Sequence, residues 1–214
     1  MFKACKVLRK LAVMALVTSA FSANAGLMTY APWDAAYSGN GLNGVLFNVQ
    51  SSGGVTVALG AHAYKNGAFL PNNGTDTFYA QPGLYIPDSL NRANWSFDFA
   101  WSVGNCTTCK VYLGIDKDPT ALVDYVVGEI TLYPVNPESL NMEMAFITTN
   151  VYDFNPFGPS STGFELFITN GGALTDPNNI LARSEITVNV PEPGTLALLG
   201  LALVGIAGMR RRKV

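Results

Sequence analysis

Five large apolar side chains, Trp95, Phe97, Phe99, Trp101 and Val103, stand at every second position of one short stretch, with Ser96, Asp98, Ala100 and Ser102 between them. Successive side chains of a strand point to opposite faces, so all five fall on one side and require a second apolar surface to cover them. The same period of two recurs at Val45, Phe47 and Val49, at Val111, Leu113 and Ile115, and along 55–61. Further strands are predicted over 77–79, 84–86, 122–132, 141–149, 163–169 and 183–190, separated by Gly, Asn and Pro clusters. Asn66 and Gly67 mark a type I′ hairpin turn, which needs positive φ at both central positions. Residues 94–116 read as a central antiparallel hairpin, and residues 26–44, rich in Gly, Asn, Ala and Tyr, as a loose lead-in. With no amphipathic helix among them, these strands argue for a single all-β domain over residues 26–189. The expected form is an antiparallel β-sandwich of jelly-roll or immunoglobulin-like type, with a closed barrel as the alternative.

Both ends of the chain are of a different kind. Residues 1–25 carry Lys3, Lys6, Arg9 and Lys10, then the apolar run 11–21, then Ala23-Asn24-Ala25. A basic segment, a short apolar run and a small-x-small site make a secretory signal peptide, with Ala23 and Ala25 defining cleavage after Ala25. Cys5 lies in its basic part and leaves with it. At the other end, Pro191, Glu192 and Pro193 form an extended linker, because proline donates no backbone hydrogen bond and restricts the residue before it. Residues 196–209 then hold seven Leu, Ile or Val and no charge, and Arg210, Arg211, Arg212 and Lys213 close the run. Fourteen helical residues rise only about 21 Å against a hydrocarbon core of about 30 Å. The terminal cations nevertheless favour a membrane helix, since they snorkel to a headgroup surface more readily than they enter a protein core.

This three-part tail, residues 190–214, resembles the PEP-CTERM sorting signal of Gram-negative bacteria, with Pro191, Glu192 and Pro193 at its motif positions and Arg210, Arg211 and Arg212 at its basic end. The resemblance implies recognition and processing by an exosortase, a membrane-embedded cysteine transpeptidase. It also implies a route through the inner membrane to the cell surface or the extracellular exopolysaccharide matrix of a biofilm.

Eight of the thirteen basic residues lie in the two targeting segments. Residues 26–190 keep Lys65, Arg92, Lys110, Lys117 and Arg183 against fourteen carboxylates, a net charge near −9. A core so acidic, without clustered cations, is not built to bind nucleic acid. Cys106 and Cys109 are the cysteines that remain after the signal peptide, and an oxidising compartment favours a disulfide between them. A redox motif would sit at a helix N-terminus, and a zinc site would need further ligands. His62, the single histidine, lies between Ala61 and Ala63 in a strand and reads as a surface or packing residue. Asp116, Asp118 and Asp124 are weak calcium candidates, lacking the regular spacing of a known calcium loop. Tyr30, Trp33, Tyr37, Tyr79 and Tyr85 fall in or beside loops, where aromatic rings can stack on sugars. No nucleophile elbow, distinguished carboxylate pair or cofactor motif is present. The expectation is therefore a non-enzymatic structural or binding module with no cofactor and with polysaccharide as its candidate ligand. The alternative is a secreted carbohydrate-active hydrolase.

Overall fold

Alternation in the sequence becomes two sheets that share one core. The computed structural model describes residues 27–29, 45–65, 69–118, 120, 122–132, 138–192 and 194. Its strands are β1 (Leu27–Thr29), β2 (Leu46–Ser52), β3 (Val55–Ala63), β4 (Thr77–Tyr79), β5 (Trp95–Ser102), β6 (Lys110–Asp116), β7 (Tyr125–Glu129), β8 (Glu138–Leu140), β9 (Ser160–Thr169) and β10 (Ile180–Val190). The first sheet has the order β1-β2-β3-β5-β8 and the second β4-β10-β9-β6-β7. All the pairings are antiparallel except that of β4 with β10.

Val57, Leu59, Phe97 and Phe99 of the first sheet are buried with Val111, Leu113, Phe164, Leu166, Ile186 and Val188 of the second in one continuous core. Phe97 stacks on Phe164 with ring centroids 4.3 Å apart, and Trp95 meets Phe154 edge-on at 5.7 Å. Full burial of such a side chain contributes about 1.5 to 3 kcal/mol, so this interior dominates the stability of the fold. Polar bonds also join the sheets. Asn48 Nδ2 of β2 donates to Glu185 O of β10 at 2.9 Å, and Ser184 Oγ donates back to Asn48 O at 2.7 Å.

Residues 94–116 are not a hairpin. β5 pairs with β3 and β8 in one sheet, while β6 pairs with β7 and β9 in the other. Each strand has one strongly apolar face, and the chain buries the two faces against each other across the core rather than placing them side by side. The connection between them crosses the end of the fold where the β2–β3 turn lies. A β-carbon on Gly104, whose φ is +55°, would stand 2.5 Å from Gly54 O, so only glycine lets the crossing chain settle on that turn.

The predicted strand at 141–149 is replaced by β8 before it and a short helix, α1 (Ala145–Asn150), over its second half. Asn141 decides this. Its Oδ1 accepts from Ala93 N and Glu143 N, and its Nδ2 donates to Ala93 O and Trp95 O, so a side chain takes the place of a ladder rung. Met142 and Ile147 are then buried from the helical turn that follows. Residues 84–86 form only an isolated bridge, Leu84 to Ala93, and the lead-in contributes β1 at its start. The Asn66-Gly67 turn falls outside the described residues.

Register fixes which loops share an end. Val190 lies opposite Ser160, Ile115 opposite Phe164, and Ala63 opposite Trp95. The chain therefore leaves β10 at the end that carries the 80–94, 117–124 and 141–159 connections. The opposite end carries the β2–β3 turn, the β5–β6 crossing and the 170–179 loop.

Candidate functional site

The sorting junction is built from the last turn of the ladder. β10 lies between β4 and β9, and Thr187, Val188 and Asn189 pair with Thr77, Phe78 and Tyr79. Asn189 O accepts from Ala80 N at 2.9 Å, and the buried Val190 pairs with Ser160. Pro191 comes next, lacks an N–H and ends the ladder, so Pro191 and Glu192 are exposed immediately beyond a buried strand. Val190 thus belongs to the core, one residue beyond the expected boundary at 189. No slack separates the fold from the tail. Pro193, the apolar run 196–209, Arg210, Arg211 and Arg212 lie outside the described residues, as do the signal segment and Ala23 and Ala25. Among the described residues no helix is long and apolar enough to cross a membrane.

Cys106 and Cys109 are joined by a disulfide, with Cα atoms 5.5 Å apart, in the crossing from β5 to β6. Its place between two strands, with no helix dipole behind it, gives it the position of a staple on the inter-sheet connection.

The three calcium candidates do not converge. Asp116 is buried, and its Oδ1 accepts from Asp118 N at 3.0 Å and Asp124 N at 2.9 Å, closing the loop between β6 and β7. Asp118 accepts from Thr120 N, while Asp124 pairs with Lys117 at 3.0 Å. Among the described residues no group of three or more His, Cys, Asp or Glu side chains is placed to hold a metal ion.

Two charged constellations escaped the sequence reading. On the outer face of the first sheet, His62 Nδ1 lies 2.8 Å from Asp98 Oδ2, with both side chains buried. Burial alone would lower the imidazole pKa, but the charge and hydrogen bond of Asp98 outweigh it and leave the value raised. Asp98 Oδ1 has no hydrogen-bond partner among the described residues, so His62 is the counter-ion on which this carboxylate depends. Ser96 lies opposite His62 in the register. Its Oγ sits 3.3 Å from Asn141 Nδ2, within the network that ends β8.

On the outer face of the second sheet, Glu165 and Glu185 are direct cross-strand partners, a repulsive arrangement that needs a cation. Arg183 supplies it. Its Nη2 lies 2.6 Å from Glu165 Oε2, and its Nε lies 2.5 Å from Glu185 Oε1 as an ion pair without hydrogen-bond alignment. Glu165 lies flat across β6, where a β-carbon on Gly114 would come within 2.5 Å of its Cγ. Its pKa is raised, chiefly because burial disfavours the carboxylate, with Arg183 offsetting part of the shift. A lone acid in a β pattern gives no hint of this, since the partners depend on register. The aromatic candidates divide: Tyr79 is exposed, and Tyr85 packs edge-on against Tyr64 at 5.4 Å. Tyr30, Trp33 and Tyr37 lie outside the described residues.

The junction is where likeness to known proteins is found. Residues 189–213 match the family model of the PEP-CTERM protein-sorting motif. The PEP-CTERM match begins inside β10, at Asn189, so the motif overlaps the last two residues of the folded strand. No curated protein and no solved structure matches the chain.

Proposed function

We propose that the protein is an exported structural or binding component of the cell surface or extracellular matrix, sorted through its PEP-CTERM motif and processed there by an exosortase. The observation that carries this reading is the motif at 189–213, set directly on the end of a strand paired on both sides. The protein is inserted transiently in the inner membrane through residues 196–209 and then passes to the outside of a Gram-negative cell. The core acts without chemistry of its own. In support, the buried ionisable groups of the described residues are committed to the fold: His62 to Asp98, Asp116 to two backbone amides, and Glu165 to Arg183. Polysaccharide is the ligand class, met by exposed aromatic rings such as Tyr79.

The test is removal of residues 191–214, a cut that spares the buried Val190. Cell fractionation should find the truncated protein exported and folded but missing from the surface. Truncated protein that reaches the surface as efficiently as the full chain overturns the proposal.

A further inference from the structure

Exposed apolar side chains are distributed unequally between the two ends of the fold. Among the described residues, Ile86 is 89% exposed and Leu122 72%, and Leu90, Val123 and Phe157 are each more than half exposed. All five belong to connections at the end where β10 leaves the sheet. β4 runs parallel to β10, so the chain after Tyr79 continues beside the exit into the loop that bears Ile86 and Leu90. Phe157 lies beside this loop, since Gly83 N donates to Pro156 O at 2.5 Å. Leu122 and Val123 occupy the β6–β7 loop at the other edge of the same sheet. In the strand order β4-β10-β9-β6-β7 the exit is one place from the first loop and three from the second, about 5 and 14 Å at the usual strand spacing. At the opposite end Leu132 and Leu174 are exposed singly, on separate loops.

We propose that these loops form a membrane-facing surface, which rests on the interface of the bilayer while the tail is inserted. The proposal depends on the reading of residues 196–209 as the membrane segment. Five residues, 191–195, separate the last buried residue of β10 from that segment. At no more than about 3.3 to 3.6 Å per residue they span about 17 to 18 Å, so this end of the fold is held against the membrane and the other is not. Tethering at this length maintains a high effective concentration, so a contact too weak to recruit the free core is populated once the tail is in place. Exposed aliphatic and aromatic groups on loops to either side of the exit suit the headgroup–acyl boundary, where each side chain can enter separately while the tail holds this end in place. Asp88, Asp118 and Asp124 lie on the same loops and keep the contact shallow. The contact therefore draws nothing from anionic lipid, which the acidic core opposes, and forms on a neutral surface.

The experiment uses residues 26–214, the chain left once the signal segment and its Cys5 are removed, reconstituted in phosphatidylcholine vesicles that contain acyl-chain-brominated lipid. Single fluorophores are placed through Ile86→Cys, Leu122→Cys, Leu132→Cys or Leu203→Cys. The first three sites are exposed or nearly so, so labelling leaves the core intact, and the paired Cys106 and Cys109 do not react. Quenching at 86 and 122 should be at least threefold greater than at 132 and unchanged when salt is raised. Strong quenching at 203 with none above the level of 132 at 86 and 122 overturns the surface while sparing the membrane reading of the tail. Absence of quenching at 203 overturns that reading and the surface with it. Signals at 86 and 122 that follow protein concentration without lipid quenching identify a second copy as the occupant and also overturn the proposal.

Discussion

Replacing His62 with Gln should be among the most damaging single changes outside the apolar core. Asp98 is fully buried, with Oδ2 on His62 and Oδ1 without a partner among the described residues, so the variant leaves a buried carboxylate without that counter-ion. Breaking a buried pair in this way costs about 3 to 5 kcal/mol. For a domain of this length each kcal/mol lowers Tm by about 2 to 4 °C, which predicts a fall of about 6 to 20 °C. Asp98→Asn should cost less, about 1 to 3 kcal/mol, because the abandoned imidazole can shed its proton. In the double variant the two costs should not add, and the cycle should return a coupling energy above about 1 kcal/mol. The pH dependence has a definite sign. The histidine pKa is raised in the fold, so the stabilisation is complete below its unfolded value near 6.5 and is lost as pH rises through the folded value. Urea denaturation of the four proteins across pH 5 to 9 reads both quantities. Additive costs, or a His62→Gln penalty below about 1 kcal/mol, would refute the assignment of His62 as the counter-ion.

Replacing Cys106 and Cys109 together with Ser should lower stability by about 1 to 3 kcal/mol and leave the fold intact, since so small a loop restricts the unfolded chain only modestly. Denaturant midpoints with far-UV circular dichroism check this, and insulin-reducing turnover by the native protein would contradict the structural role. The purified protein should hydrolyse none of a broad panel of glycans, esters and peptides. It should bind anionic polysaccharide weakly, because a core charge near −9 opposes the polymer. Added calcium should strengthen that binding and chelator reverse it, measured by calorimetry. Turnover abolished by changing one carboxylate pair would discard the non-enzymatic reading.

Strands and their inward faces were legible because period two is a local signal: Trp95 to Trp101 and Val111 to Ile115 bury the sides that their alternation marks. Partner choice was not. Alternation is the same whether β5 and β6 lie beside each other or across the core, and only closure of a two-sheet interior selects the second. Asn141 shows a different limit, since a side chain that imitates the ladder ends a strand whose apolar spacing would have continued it. The His62–Asp98 and Glu165–Arg183 pairs join residues on neighbouring strands, so they become visible only once register is known. The sorting motif needed no register, being contiguous in the chain, and the fold adds that its first residues are still strand.

Intact-mass measurement of the protein recovered from the cell surface tests the central claim most directly. Sorting through the junction predicts a form that retains β10 through Val190 and has lost Arg210, Arg211, Arg212 and Lys213. A surface form that still carries those four cations, or one whose chain ends upstream of Val190 and so cuts into β10, would contradict the account.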